Sequence, residues 1–224
     1  MEINTYGKQL SDEEIETLKH RSFIGGMWEE IGALQFTFLK DHGLTPQDRL
    51  LDLGCGALRG GLHFIEYLDP GHYCGLDINA SLIKAGTYEL QQKKLEHKEP
   101  KLMVSEHFDI GKFGLSFDCA IAISLFTHLP MNHIIVALAK VGACLKPEAA
   151  FYASFFLAPR TACFEPLLHS AEKIETFYDQ DPYHYAYEEI SWMAAQAGLE
   201  ATLIGEWEHP RGQQMLKFTL PLSS

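Results

Sequence analysis

The pattern of apolar and polar positions begins with two helices. Ser11 with Glu14 makes a capping box, which predicts that a helix begins there and runs over about residues 12–21. Gly25-Gly26 interrupts the apolar spacing. A second helix is predicted over about residues 27–40, because its apolar residues recur at intervals of three and four.

After these helices, short apolar strands alternate with helices. Five strands are predicted, at residues 49–53, 73–77, 102–104, 117–123 and 149–156. This alternation is typical of parallel strands joined by right-handed crossovers. A helix over 187–197 and two strands, 200–206 and 215–220, complete the pattern. The link between these two strands is too short for a crossover, so the last strand is predicted to be antiparallel. We therefore predict an α/β fold with a doubly wound, seven-stranded sheet and helices on both faces.

The chain of 224 residues suits one domain, for which we predict four parts. Residues 1–45 form a helical N-terminal cap, or lid, and residues 46–156 form the core. Residues 157–186 show no clear periodicity and contain three prolines, which indicates a functional insertion. A helix and a β-hairpin over residues 187–224 end the chain.

Charge and composition limit the kinds of partner that we expect. The net charge is −12, from 18 basic and 30 acidic residues, so a phosphate backbone would be repelled and nucleic acid is not the expected partner. The N-terminus has no basic stretch leading into an apolar run, and no apolar run is long enough to span a bilayer. The five cysteines are widely spaced without a Cys-x-x-Cys pair, which predicts reduced thiols, a cytoplasmic location and no metal site. The oligomeric state is left open.

The first predicted strand runs into a glycine turn. Asp52 precedes Gly54 and Gly56, which let the backbone turn tightly beside a ligand. Asp77 ends the second strand, where an acidic residue can accept the hydroxyls of a ribose. A dinucleotide-binding turn would have a third glycine where this chain has Arg59, and Asp52 would repel a pyrophosphate. An NAD-dependent oxidoreductase is therefore the less favoured alternative.

These segments together resemble the class I S-adenosylmethionine (SAM)-dependent methyltransferases. Residues 50–56 resemble motif I, residues 75–79 motif II, and residues 117–129 the fourth-strand motif of small-molecule methyltransferases. Residues 26–32 and 207–213 look similar to a group of small bacterial methyltransferases. The Asn/Asp-Pro-Pro-Tyr/Phe motif of amino-group DNA methylases is absent, since Ser-Leu-Phe-Thr stands in its place. The resemblance implies a Rossmann-like methyltransferase fold and a methyl transfer from SAM to a small O- or N-nucleophile.

The resemblance also implies a set of cofactor-binding residues. The residues assigned to SAM are Asp52, Gly54, Cys55, Gly56, Asp77, Ile78, Asp109, Ile110 and Ser124. Trp28 is a further candidate because of its position after Gly25-Gly26. Asp52 and the glycines line the methionine part, Asp77 holds the ribose, and Asp109 holds the adenine. Ser124 lies near the sulfonium. Trp28 closes over the cofactor as part of the lid, or else belongs to the core.

Candidates for the acceptor side come from three segments. His209 and Arg211, in the loop between the last two strands, are interpreted as a base and an anion clamp. Tyr183 and His184, in the insertion, suit an acceptor pocket.

His128 follows the fourth strand and is the third candidate base, while Arg59 is a candidate for binding an acidic acceptor. Each of these side chains has a plainly structural alternative, as packing or loop residues. A SAM-binding module without catalysis is the third functional hypothesis.

Overall fold

The computed structural model describes residues 7–169 and 173–221. The chain divides into two compact units at Gly114–Leu115. We call the described residues up to Gly114 the first unit and those from Leu115 onward the second unit. The sequence did not predict this division, and the four-part organisation of one domain stays a prediction.

The first unit contains three parallel strands and five α-helices. The strands lie in the order β3-β2-β1, with β1 and β3 each paired in parallel with β2. The elements in chain order are α1 (Asp12–Glu16), α2 (Lys19–Phe23), α3 (Trp28–Asp41), β1 (Leu50–Leu53), α4 (Gly61–Tyr67), β2 (Tyr73–Asp77), α5 (Ala80–Lys93) and β3 (Lys101–Val104). All four residues of β1 are buried, as expected for a parallel strand covered on both faces.

The first predicted helix is two short helices. The capping box is confirmed, because the Ser11 side chain accepts from the Glu14 amide and the Glu14 side chain accepts from the Ser11 amide. The helix then breaks at Leu18, whose φ is 59°. The apolar spacing gave no sign of this break, because a leucine at this position fits a helical pattern as well as a turn.

These two helices are attached to α5 by buried charged groups. Glu89 of α5, which is 1% exposed, accepts two hydrogen bonds from Arg21 at 2.7 and 2.8 Å. Its Oε1 also lies 2.8 Å from Nε2 of the buried His20. Nearby, the Asn79 side chain caps α5 and donates to the Lys8 carbonyl at 2.8 Å. The N-terminal segment is thereby fixed at both its start and its helical part.

The second unit contains the remaining strands. β4 and β5 are parallel, and β10 is antiparallel to both β5 and β9. The elements in chain order are β4 (Phe117–Ala122), α6 (Met131–Gly142), β5 (Leu145–Ala158), β6 (Leu167–His169), β7 (Ile174–Thr176), β8 (His184–Ala186), α7 (Tyr187–Gln196), β9 (Glu200–Gly205) and β10 (Gln214–Thr219). The prediction of parallel strands followed by a final antiparallel strand is confirmed.

The predicted insertion has more regular structure than its sequence shows. β6 and β7 form an antiparallel hairpin, and β8 pairs in parallel with the C-terminal end of β5. Each of these strands has only three residues, which is too short for an alternating pattern to be recognised. Two hydrogen bonds join β8 and the residue before it to the turn after β4. The Tyr183 amide donates to the Thr127 carbonyl at 2.7 Å, and the Tyr185 hydroxyl donates to the Leu129 carbonyl at 2.8 Å.

Candidate functional site

The glycine turn after β1 is joined to the end of β2. Gly54 and Gly56 have φ values of 73° and 53°, which side chains other than glycine rarely adopt. The amides of Gly54 and Cys55 donate to the Leu76 carbonyl at 2.8 and 3.1 Å. The Cys55 thiol is buried, and a Cβ at Gly75 would lie only 2.9 Å from its sulfur. The turn is therefore a tightly built element, with Cys55 serving its packing.

Asp77 connects this turn to the start of α5. Its Oδ2 accepts from the Gly56 amide at 2.9 Å and its Oδ1 from the Asn79 amide at 2.8 Å. Burial raises the pKa of the Asp77 carboxyl, although these amides oppose the shift. Each carboxylate oxygen has a second lone pair, so the group can still accept hydroxyl donors. The structure therefore brings the glycine turn and Asp77 together, as predicted.

Asp52 is a buried carboxyl beside the turn. It is 5% exposed, and its Oδ2 accepts from the Tyr73 hydroxyl at 2.6 Å. Burial raises its pKa to about 7, with the Tyr73 hydrogen bond opposing that shift and the charge of Asp77 adding to it. A carboxyl with this pKa is ready to ionise when a cation arrives, because a nearby positive charge favours the ionised form.

The segments predicted to hold adenine are only partly arranged for it. Ile78 is 53% exposed, so an apolar surface lies directly beside Asp77. Asp109 forms an ion pair with Lys112 at 2.8 Å, and its amide donates to the Ser105 hydroxyl. The amide of Ile110, which was also assigned to SAM, donates to the Phe108 carbonyl at 2.8 Å, and the Ile110 side chain is fully buried.

Arg59 and Trp28 are occupied by the N-terminal segment. The Arg59 guanidinium donates to the carbonyls of Ile24 and Gly26 at 3.3 and 3.1 Å, and the residue is 8% exposed. This position is a structural one, in contrast to the predicted contact with an acidic acceptor. Trp28 is 9% exposed, with the Arg21 guanidinium 4.7 Å from its ring centroid. Trp28 therefore packs within the cap, which is the alternative left open by the sequence.

At the carboxyl end of β4, Ser124 is held in a strained conformation. Its φ is 58°, and its amide donates to the Ser154 hydroxyl at 2.8 Å. Both serine hydroxyls donate to Oε1 of Gln213, at 3.1 and 2.7 Å. Strained residues that surrounding contacts hold in place often mark functional sites. Gln213 and Ser154 were not predicted as site residues.

The loop between β9 and β10 folds back on itself. The His209 ring stacks on Trp207 with centroids 5.2 Å apart, and the residue is 6% exposed. Its Nδ1 accepts from the Arg211 amide at 3.3 Å. The predicted base and clamp are therefore neighbours, and their contact runs through the backbone of the loop.

The two other candidate histidines differ sharply. His184 is fully buried, with Nδ1 2.9 Å from the Thr176 hydroxyl and Nε2 2.8 Å from the Cys163 carbonyl. Both nitrogens serve the packing of the insertion, which corrects the prediction of a base at this position. His128 is partly exposed, and its Nδ1 lies 2.5 Å from Oδ1 of Asp181.

Tyr183, predicted to contact the acceptor, stacks on Tyr185 with ring centroids 6.1 Å apart. Burial raises the pKa of Tyr183, and the charges of Asp181 and Asp179 add to that shift. The Asp181 carboxylate thus lies close to both His128 and Tyr183. The sequence gave no signal for Asp181, because its partner is 53 positions away.

Known proteins share the domain type and the fold of this chain. Residues 51–151 match a family model described as a methyltransferase domain. The CcbJ methyltransferase of Streptomyces caelestis has a similar structure, with a TM-score of 0.71, 11% identity, and coverage of 98% of this chain and 99% of its own. A SAM-dependent methyltransferase of Clostridium acetobutylicum gives a TM-score of 0.66 at 10% identity, with coverage of 93% and 98%. Magnesium protoporphyrin IX methyltransferase of Synechocystis, with bound S-adenosylhomocysteine, gives 0.60 at 14%, with coverage of 96% and 90%.

Because these sequence identities are low, the structural likeness shows the fold alone. The match to the methyltransferase domain model indicates the enzyme class. Over residues 51–151 the chain therefore matches a methyltransferase domain, and its fold is the Rossmann-like fold of the methyltransferase structures compared above. The matched segment runs from β1 into β5 and includes Asp52, Asp77 and Ser124. The resemblance inferred from the motifs is confirmed.

Proposed function

We propose that the protein transfers a methyl group from SAM to a small-molecule acceptor. The observation that carries this proposal is the joint geometry of Asp77 and Gly56, in which a half-buried carboxylate is oriented by two backbone amides at the end of a parallel strand. Ligands of open α/β sheets bind at that end of the strands. Asp77 retains acceptor capacity for two ribose hydroxyls, and Ile78 offers an apolar surface beside it.

The donor set also fits the charge of SAM. Bound SAM would supply an activated methyl group on a sulfonium. Asp52, with a pKa of about 7, provides a carboxylate for a cationic amino-acid part. A dinucleotide would instead bring a pyrophosphate toward Asp52, whose ionised carboxyl repels it. This favours SAM over the NAD alternative.

Charge, composition and the structural relatives support a small acceptor and a cytoplasmic location of the protein. A net charge of −12 opposes binding to nucleic acid, which favours a small acceptor. The structural relatives include a glycopeptide N-methyltransferase and a mitomycin 7-O-methyltransferase. All five cysteines are free, which favours a reducing compartment such as the cytoplasm. Within the described residues, none of the helices has the length and apolar character needed to cross a bilayer.

Isothermal titration calorimetry with SAM, S-adenosylhomocysteine and NAD tests the cofactor assignment. We expect SAM and S-adenosylhomocysteine to bind and NAD not to bind. Asp77→Ala should weaken SAM binding by roughly 1.5–3 kcal/mol, because hydrogen bonds to a charged group are lost. Asp69→Ala, at an exposed position of the same unit, is the matched control and should bind as the wild type does. Binding of NAD without SAM would favour the oxidoreductase.

A second experiment identifies the acceptor. The protein is incubated with SAM carrying an isotopic label in its methyl group and with a fractionated metabolite extract, and labelled products are analysed by mass spectrometry. We expect label in a small molecule and none in added DNA. Binding of SAM with no labelled product in any fraction would favour the non-catalytic SAM-binding module.

A further inference from the structure

The carboxyl of Asp52 on β1 has a hydrogen-bond donor at one oxygen and none at the other. Its Oδ2 accepts from the hydroxyl of Tyr73, on the neighbouring strand β2, at 2.6 Å. Among the residues that the structure describes, none donates to Oδ1, although Asp52 is only 5% exposed. A buried carboxylate oxygen without a donor is costly, so a ligand that carries N–H groups gains free energy by binding there.

The Tyr73 hydroxyl has a fixed position in the interior of the first unit. A Cβ at Gly61, the first residue of α4, would lie only 2.5 Å from the hydroxyl oxygen. A Cβ at Gly75 would lie 3.0 Å from Cε1 of the same ring. The two glycines therefore provide the space that the tyrosine ring fills, and the close packing holds the hydroxyl beside Asp52.

The protonation of this pair makes Tyr73 a hydrogen-bond donor to ionised Asp52. Burial raises the pKa of the Tyr73 hydroxyl well above its usual value, and the charge of Asp52 adds to that shift. The hydroxyl therefore keeps its proton. Because a hydrogen bond to the ionised form favours ionisation, Tyr73 lowers the pKa of Asp52 and opposes the effect of burial.

The other titratable groups around Asp52 act on it in different ways. Asp77 on β2 carries the same charge and raises the pKa of Asp52, whereas the charge of the Arg59 guanidinium lowers it. The Cys55 thiol is neutral, because burial raises its pKa well above the usual value. In the described part of the chain, Tyr73 is thus the side chain that both contacts the carboxyl and favours its ionisation.

We propose that Tyr73 is a positioning residue for the cofactor, whose hydroxyl holds Oδ2 of Asp52 and leaves Oδ1 to accept from the ammonium group of SAM. This inference rests on the proposed binding of SAM. The hydroxyl orients the plane of the carboxyl before the cofactor arrives, and it lowers the cost of ionising a buried acid. Removal of the hydroxyl should therefore weaken binding through Asp52, and most strongly at a pH where Asp52 is largely protonated.

Carbon-13 NMR of the full chain without ligand tests the first step. Aspartate is labelled at its side-chain carboxyl, and the Asp52 resonance is assigned by its absence in Asp52→Asn. We expect the pKa of Asp52 to be about 7 in the wild type and to rise by about 1 in Tyr73→Phe, because a hydrogen bond to the ionised form is lost.

The matched control is Tyr67→Phe, which removes a hydroxyl that donates to the Leu44 carbonyl in the same unit. It should leave the pKa of Asp52 at the wild-type value. An unchanged or lowered pKa of Asp52 in Tyr73→Phe overturns the inference.

Calorimetry with S-adenosylhomocysteine, which carries the same ammonium group, gives the second readout. Near pH 6.5 we expect Tyr73→Phe to bind about tenfold more weakly than the wild type, because fewer of its Asp52 carboxyls are ionised. Near pH 8.5 the difference should narrow to about threefold or less. Adding Tyr73→Phe to Asp52→Asn should change the Kd by no more than about twofold, because the group through which Tyr73 acts is already neutral.

The two variants separate a positioning role from a packing role. A loss of affinity in Tyr73→Phe that is equal at both pH values, or that persists in the Asp52→Asn background, contradicts the inference. Failure of the wild type to bind SAM and S-adenosylhomocysteine would instead contradict the proposed function. The NMR titration is made without ligand, so the two failures are distinguishable.

Discussion

At the scale of single residues, Asp52 shows a conflict between stability and function. Its carboxyl is buried against Tyr73 and has a pKa of about 7, far above the usual value near 4. The folded protein therefore holds this proton more tightly than the unfolded chain does. The stabilisation that the proton provides is fully present below about pH 4 and is lost as the pH rises through about 7. Ionised Asp52 is thus a source of instability that binding of a cation can relieve.

Asp52→Asn should therefore stabilise the protein without ligand, and more so at high pH. The amide stays neutral, and its oxygen can still accept from Tyr73. We expect the gain in the free energy of unfolding to be larger at pH 8 than at pH 5 by about 2 kcal/mol. Urea denaturation at both pH values measures this, with Asp69→Asn as the control. A gain that is equal at both pH values would show that ionisation of Asp52 is not its cause.

The same residue predicts how SAM binding depends on pH. If ionised Asp52 attracts the ammonium group of SAM, binding must strengthen as the pH rises through the pKa near 7. Calorimetry between pH 5.5 and 7.5 should show a rising affinity and the release of a proton in the wild type. In Asp52→Asn we expect weaker binding with no such dependence. Equal pH dependence in both proteins would assign the titration to another group.

Site residues differ in how far the sequence could predict them. Gly56 and Asp77 lie at the ends of adjacent parallel strands, so strand order alone brought them together as predicted. His128 and Asp181 are joined by a hydrogen bond between segments 53 positions apart, which no local pattern encodes. The sequence also could not predict the burial of His184. A histidine at this position gives no sign that both its ring nitrogens form hydrogen bonds inside the protein.

At the scale of elements, the N-terminal helices depend on one carboxylate of α5. Burial alone would raise the pKa of Glu89, but hydrogen bonds from His20 and Arg21 lower it to about 2. This group therefore stabilises the fold above pH 4, and its contribution is lost as the pH falls toward 2. Since the contact joins α2 to α5, its loss should release the helices locally.

Glu89→Gln tests this attachment. The amide cannot pair with the guanidinium in the same way, so we expect a loss of about 2–3 kcal/mol, at the lower end for a buried pair because Arg21 is partly exposed. Hydrogen exchange should become faster in α1 and α2 and change little in β1. Glu13→Gln, at an exposed position of α1, should have no such effect. Faster exchange throughout the first unit would mean that Glu89 supports the whole unit.

The sequence predicted long elements better than short ones. Its patterns located α3 and α7 within one residue, because their apolar positions recur at the helical spacing. They missed the break at Leu18 and the strands β6, β7 and β8, since two or three residues carry no measurable period. Such short elements are fixed by tertiary hydrogen bonds, such as the one from Tyr183 to Thr127, and these appear only in three dimensions.

At the scale of the whole molecule, SAM should stabilise the protein by mass action. A ligand that binds only the folded state at 100 times its Kd adds about 2.7 kcal/mol. For a chain of this size that corresponds to a rise in melting temperature of roughly 5–10 °C. Differential scanning calorimetry should show this rise with SAM and none with NAD. Asp77→Ala should reduce the rise to about half or less at the same SAM concentration, because binding that is roughly 1.5–3 kcal/mol weaker contributes less by mass action. Asp69→Ala should keep the full rise. A rise that is undiminished in Asp77→Ala would place SAM away from the Gly56–Asp77 turn, and the assignment of that turn would have to be given up.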